Sequence, residues 1–219
     1  MGACALVAVV RGNKAFIANA GDSKALIVRK NEDGTHSARR VSTTFNANKK
    51  EEQDRLRRQF SGEKDIVVCR AKDACYVKGN LMPTRALGDF RLKKAEFNFH
   101  NFNRELGYRA PIEKYNGPYI THVPEVQTVE LTGADEYLIL ASDGLWDEVG
   151  RTEAVQLLEG HLGSQEQVAE RLFRAAIENI SKEKGYSKDF ILKMPPGREK
   201  RNVVDDITIL ILNLADQAA

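Results

Sequence analysis

The sequence predicts an α+β domain built on antiparallel sheets. Three observations carry that expectation. The first third is a succession of short apolar runs, at 5–10, 15–20 and 25–29, separated by turn residues. Two further apolar runs, 137–141 and 207–214, bracket a long helical pattern. Strands therefore follow strands and helices follow helices, which is not the strict alternation of a doubly wound parallel sheet.

The elements read in order as follows. Residues 5–10 form a buried strand that runs through the turn Arg11-Gly12-Asn13-Lys14 into a second strand. After the third strand, Asn31-Glu32-Asp33-Gly34 supplies a hairpin turn. Residues 48–60 read as a helix capped by Asn48, with Glu51 at the capping-box position. Its only apolar residues are Leu56 and Phe60, so it is expected on the surface with weak packing. Stretches 61–80 and 91–118 mix glycine, asparagine and charge and read as irregular, mobile insertions. Residues 119–121 and 126–129 are short strand candidates around Pro124. A short helix at 152–159 ends at Gly160. Over 164–180, Val168, Ala169, Leu172, Phe173, Ala176, Ile177 and Ile180 fall on one helical face behind a Ser164/Gln167 capping box. A basic Pro/Gly loop covers 193–201, and 207–214, apolar on both faces, reads as an interior strand.

The 219 residues suit one domain, and 42% hydrophobic against 29% charged residues supports a packed core over disorder. A net charge of +2 gives no electrostatic case for nucleic acid or an acidic membrane. The apolar run 3–10 is too short to span a bilayer and lacks the basic start of a signal peptide; Gly2 as a lipidation site conflicts with a buried strand there. Three cysteines, Cys4, Cys69 and Cys75, follow no metal spacing and suggest a reducing compartment without a disulfide framework.

Several patterns are coincidental. Ser61-Gly62-Glu63-Lys64 lacks the partner motifs of a serine–lysine enzyme, and the Asn179-Ile180-Ser181 sequon sits on a helix. His36, His100, His122 and His161 make no zinc pair, and no phosphate-binding glycine loop occurs. What stands out is acidic. Asp22 in Gly21-Asp22-Ser23, Asp143 in Ser142-Asp143-Gly144, and the Asp205-Asp206 pair each sit where an apolar strand meets a turn. A lone Gly-Asp is an ordinary turn. Three acids on buried strand ends would repel one another unless a cation lay between them, and oxygen-only donors select Mg²⁺ or Mn²⁺ over Zn²⁺.

Ala18-Asn19-Ala20-Gly21-Asp22-Ser23-Lys24-Ala25, Leu81-Met82-Pro83-Thr84-Arg85-Ala86-Leu87-Gly88-Asp89-Phe90, Leu140-Ala141-Ser142-Asp143-Gly144-Leu145-Trp146-Asp147 and Asp205-Asp206-Ile207-Thr208 occur in the order used by metal-dependent protein phosphatases of type 2C. The chain resembles that family from end to end. Leu81-Met82-Pro83, with Pro118-Tyr119-Ile120-Thr121 before Pro124-Glu125-Val126, is most similar to the pyruvate dehydrogenase phosphatase branch. The resemblance implies a four-layer α-β-β-α sandwich of two antiparallel sheets. It implies hydrolysis of phosphoserine and phosphothreonine on proteins by a metal-activated water, with two or three Mg²⁺ or Mn²⁺ ions and no protein nucleophile. By motif match Asp143, Asp205 and Asp22 are the metal ligands. Asp206 is expected to support the site from behind, Asp147 and Gly144 lie near the metals, and Asp89 and Gly21 shape their turns. Trp146 reads as core.

The family's earlier half, with a phosphate-binding arginine and an Asp-Gly-His-Gly-Gly motif that carries a general-acid histidine, has no match here. Asp33-Gly34-Thr35-His36 follows the Gly-Asp-Ser strand instead of preceding it and is a decoy. The expectation is therefore an N-terminally truncated domain, residues 1–219 forming roughly its C-terminal two-thirds. No catalytic residue is identifiable, so the fragment is expected to be inactive alone and prone to self-association, with activity in the full-length parent. The alternatives are a non-catalytic phosphatase-like binding or scaffold module, or a metal-binding regulatory domain of other descent. The expected partner is a phosphoprotein, with no nucleic acid and no membrane. The basic stretches 49–58 and 193–201 read as solvated surface, with docking of an acidic phosphoprotein as the other reading. The expected location is intracellular, cytoplasmic or mitochondrial.

Overall fold

The computed structural model describes residues 1–98, 110–158 and 165–214. In chain order the elements are β1 (Gly2–Ala3), β2 (Ala5–Arg11), β3 (Lys14–Ala20), β4 (Lys24–Lys30), β5 (His36–Arg40), α1 (Lys50–Gln59), β6 (Val67–Cys69), β7 (Cys75–Val77), β8 (Leu87–Gly88), β9 (Glu125–Glu130), β10 (Asp135–Ala141), α2 (Asp143–Trp146), α3 (Arg151–Leu158), α4 (Gln165–Lys184), α5 (Lys188–Lys193), α6 (Arg198–Val203) and β11 (Ile209–Asn213). They divide into two compact units. Unit 1 holds residues 1–5, 18–22 and 43–125, and unit 2 holds 6–17, 23–42 and 126–219.

Unit 2 is the layered part. A four-stranded sheet runs in the order β11-β10-β4-β5, all neighbours antiparallel, and a three-stranded sheet runs β2-β3-β9. The side-chain period of two sends alternate residues of the central strands to opposite faces. On one face Ala25, Ile27, Leu138 and Leu140 meet Ala15, Ile17 and Val129 of the smaller sheet. On the other face Leu26, Val28, Tyr137, Ile139 and Ala141 meet Leu158 of α3 and Val168, Leu172 and Ala176 of α4. The expected helical face of α4 is the one that is buried, although the helix runs on to Lys184. Its Ser164 cap and the Gly160 stop lie outside the described residues.

Two strands differ from expectation. β2 is not buried through: Leu6, Ala8 and Val10 pack inward, while Val7 and Val9 are each 55% exposed. β11 is an edge strand among the described residues, paired only with β10, and its Leu210 faces outward. An apolar residue on both faces is thus not sufficient to place a strand in the interior; pairing on both sides decides it.

Unit 1 has little sheet. The two-residue pair β1/β8 and the hairpin β6/β7 are its ladders. Its core gathers Leu56 and Phe60 with Ile66, Val67, Val77, Leu92 and Tyr119. The stretch 61–80 contributes Ile66, Val67, Cys75 and Val77 to this core, although much of 61–74 is exposed. From 91–118, Leu92 is buried and Ile112 and Tyr115 pack on the same core; 99–109 lie outside the described residues. Residues 119–121 form no strand beyond an isolated bridge, Arg85 to Thr121. Helix α1 packs more firmly than its composition suggested, because Glu52 is buried beside Leu56. It begins one residue later than expected, behind Lys49, with no side-chain cap. Asn48 is diverted to a tertiary role: its Oδ1 accepts from the Cys75 amide and its Nδ2 donates to the Asp73 carbonyl.

The cysteine expectation is overturned. Cys69 and Cys75 form a disulfide, and Cys4 stays outside it. The hairpin register sets Cys69 directly opposite Cys75. A separation of six residues carries no such information until the turn between them is known.

Candidate functional site

Asp143 and Asp205 lie on two backbone segments of unit 2 that are clamped together. β10 ends at Ala141, and Ser142 then makes three bonds to the segment before β11. Its hydroxyl donates to the Asp206 carbonyl at 2.9 Å and accepts from the Thr208 amide at 3.0 Å, and its amide donates to the Thr208 carbonyl at 3.1 Å. Gly144 completes the approach. A Cβ there would stand 2.5 Å from the Asp206 carbonyl oxygen, closer than real contacts allow. Only glycine leaves room for residues 205 and 206 to pass alongside the Asp143 turn.

The carboxylates themselves are differently placed. Asp143 is half-buried, and its Oδ1 accepts from the Gly144 amide at 3.0 Å. Asp205 is exposed; its Oδ1 accepts from the Asp206 amide at 2.8 Å and lies 3.7 Å from the Arg201 guanidinium. Asp206 is exposed and contributes its carbonyl, not its carboxylate, to the clamp. Asp147 is exposed and pairs with Lys24 at 3.8 Å. Trp146 is core, as expected, with its indole N–H donating to the Lys24 and Ala141 carbonyls.

Asp22, in unit 1, is only 5% exposed. One oxygen accepts from the Cys4 thiol at 3.1 Å and the other from Asn46 Nδ2 at 2.7 Å. Gly21 before it has φ near +145°, and a Cβ there would strike the Cys4 side chain at 2.4 Å. Both features need glycine. Asp89 sits just past β8 in the left-handed region, φ 48°, and its amide donates to the Met1 carbonyl.

The donor chemistry of Asp143 and Asp205, carboxylates alone, suits a hard divalent cation. Among the described residues, however, no group of three or more His, Cys, Asp or Glu side chains is arranged to hold a metal ion. Asp33-Gly34-Thr35 lie in the hairpin turn between β4 and β5, and His36 opens β5. Hydrogen bonds from the Thr35 hydroxyl and amide hold the Asp33 carboxyl below its usual range, and His36 pairs with Glu136 at 3.0 Å. Sequence reasoning missed Cys4, Asn46 and Ser142. Only Ser142 carried a signal, its place inside the Ala-Ser-Asp-Gly motif; Asn46 lies 24 residues from the acid it touches.

The comparisons bear on what these segments are. The sequence profile of the family Protein phosphatase 2C matches residues 1–185. Probable protein phosphatase 2C 67 of Arabidopsis thaliana is 32% identical over 214 residues, which cover 98% of this chain and 56% of that protein. Probable protein phosphatase 2C 36 of Oryza sativa subsp. japonica is 30% identical over 213 residues, 97% of this chain and 53% of that protein. These plant relatives do not support the narrower likeness to pyruvate dehydrogenase phosphatase. The chain spans about half the length of the curated relatives it matches. In fold it is similar to serine-threonine phosphatase 2C from Toxoplasma gondii, with a TM-score of 0.57 at 17% identity over 95% of this chain and 57% of that one. It is also similar to a C. elegans sex determining protein, with a TM-score of 0.58 at 17% identity over 91% of this chain and 36% of that one. Because the family profile runs over far more than half of the chain, and the plant relatives align along nearly all of it, this chain belongs to the protein phosphatase 2C family.

Proposed function

We propose that these residues are part of a catalytic domain, layered α-β-β-α, that hydrolyses phosphoserine and phosphothreonine on proteins with Mg²⁺ or Mn²⁺. The observation that carries the reading is the clamp in unit 2, where Ser142 and Gly144 hold the backbone of Asp205 and Asp206 against the Asp143 turn. Asp143 and Asp205 would hold a divalent cation. A bound cation of this class lowers the pKa of a coordinated water and neutralises charge on the phosphoryl oxygens.

The chain's own groups set the stage for that chemistry. The Gly144 amide fixes one oxygen of Asp143, and the Asp206 amide fixes one oxygen of Asp205, so both carboxylates are oriented by backbone donors. Asp206 acts through its carbonyl, Gly144 through the absence of a side chain, and Asp147 through its pair with Lys24, which also reaches toward the Trp146 carbonyl at 3.5 Å. Gly21 and Asp89 shape turns of unit 1. Asp22 is held by Cys4 and Asn46, and its place among the ligands requires one of those donors to yield.

The activity belongs to a protein of its relatives' length. For the 219-residue chain by itself we propose binding of a divalent cation without turnover, since the family's metal-bridging Asp-Gly-His-Gly-Gly motif has no match in it. The test is hydrolysis of p-nitrophenyl phosphate by a protein extended to that length. Turnover that requires Mn²⁺ or Mg²⁺ and vanishes in EDTA is expected. Full activity in EDTA overturns the metal-water reading, and no activity with any divalent ion favours a non-catalytic binding module.

A further inference from the structure

Helices α5 and α6 stand between α4 and β11, and the family profile ends at residue 185, just before them. They are nonetheless firmly built. Ser187 caps α5 by accepting from the Phe190 amide, and the Ser181 hydroxyl donates to the Tyr186 carbonyl. Ile191 is fully buried against Ile177 and Ile180 of α4. Val203 of α6, with Val204 and Ile207, packs on the same small core. The segment that carries Asp205 is therefore part of this platform.

The outer side of the platform is unusual for a solvated surface. Tyr186 and Phe190 stack on each other with ring centroids 5.2 Å apart, and they are 45% and 50% exposed. Two large aromatic rings fixed side by side in water are the form an anchor takes in a protein interface. Around them the chain is strongly basic. Residues 182–201 contain seven Lys and Arg against three Asp and Glu, in a protein whose net charge is only +2. Arg198 and Lys200 make no ion pair among the described residues, so their charge is available to a partner.

We propose that the α5–α6 platform docks an acidic segment of the phosphoprotein partner that also carries an exposed apolar side chain. The proposal rests on the phosphatase reading for the identity of the partner. Charge complementarity selects the acidic sequence, and the Tyr186/Phe190 pair supplies the apolar contact. Docking next to the Asp205 segment would hold a substrate by a surface separate from the phosphoryl group.

The test is fluorescence anisotropy with the 219-residue chain and three labelled peptides. The first is rich in Asp and Glu with one Leu and one Phe. The second has Lys for every acid, and the third has Ser for Leu and Phe. Binding of the first peptide is expected to exceed that of the other two and to weaken as salt rises. Y186A/F190A should weaken it about tenfold or more, and R198E/K200E should weaken it about tenfold and flatten the salt dependence. Tyr186, Phe190 and Arg198 are exposed and Lys200 is half-buried, and an unchanged circular dichroism spectrum certifies each variant. Equal binding of the basic peptide, or variants that bind as the parent does, overturns the proposal. So does binding of anionic lipid vesicles without peptide binding. The p-nitrophenyl phosphate assay does not use this surface. Peptide binding with no hydrolysis in the extended protein leaves docking standing and sinks the phosphatase reading, while hydrolysis without peptide binding does the reverse.

Discussion

Unit 1 and unit 2 each hold an acid that the family motifs single out, but they hold it by different means. In unit 2 the turn bearing Asp143 follows directly on the β10 ladder, and hydrogen bonds from the Ser142 amide and hydroxyl, with a missing Cβ at Gly144, bring the Asp205 segment to it. In unit 1 Asp22 is reached by side chains: the Cys4 thiol on one oxygen and Asn46 on the other. That second contact extends outward, since Asn46 Oδ1 accepts from the Asn48 amide and Asn48 Oδ1 from the Cys75 amide of the disulfide-closed hairpin. In unit 2 the carboxylates of Asp143 and Asp205 each accept from the next residue's amide. In unit 1 side-chain relays occupy the carboxylate of Asp22.

The sharpest way to break this contrast is at the acids. In a protein of the relatives' length, Asp143→Asn and Asp205→Asn are each expected to lower Mn²⁺-dependent turnover by about a hundredfold or more. Asp22→Asn should have a far milder effect, because both of its oxygens are held by side chains of unit 1, Cys4 and Asn46. Steady-state kinetics across a Mn²⁺ titration decides it, and an equal loss for Asp22→Asn would erase the difference between the units.

A second, smaller contrast lies in two buried carboxylates. In unit 1, burial raises the pKa of Glu52, but bonds from Arg55 and Thr84 and the charge of Arg85 bring it below its ordinary value. In unit 2, Asp135 is likewise raised by burial and brought below its ordinary value by Arg29, the Thr132 amide and Arg39. Each group therefore binds its proton less tightly folded than unfolded. Its contribution is complete above the ordinary carboxylate range and is lost as pH falls through the lower folded value. Glu52→Gln is expected to destabilise the fold by about 2 kcal/mol at neutral pH and to flatten the acid limb of stability. Urea melts at pH 7 and pH 4 check this; an acid limb that is unchanged by Glu52→Gln assigns it to Asp135 and other groups.

The smallest expected effect is that of the disulfide. A bridge across six residues closes a short loop, so Cys69→Ser/Cys75→Ser should lower stability by about 2 kcal/mol or less. Hydrogen exchange sharpens the point: faster exchange should be confined to unit 1, in the hairpin and the start of α1. Equal acceleration along β4 and β10 would mean that the units do not hold their hydrogen bonds independently.

The sequence alone determined what depends on short-range repetition. Alternation and apolar runs located β3, β4 and β10, the helical period located the buried face of α4, and four short motifs gave the family and the acids in order. Tertiary structure decided what depends on partners distant in the chain. It made β11 an edge among the described residues, because a strand's own residues do not say how many neighbours it pairs with. It placed Ile66, Val67, Cys75 and Val77 of 61–80 in a core, because hairpin register sets Cys69 opposite Cys75 and Val67 opposite Val77. It diverted Asn48 from capping α1 to the Cys75 amide, and it gave Asp22 the donors Cys4 and Asn46, 18 and 24 residues away. Hydrogen-bond donors and acceptors have no periodicity along the chain, so what satisfies a buried acid becomes legible only when the chain has folded back on itself.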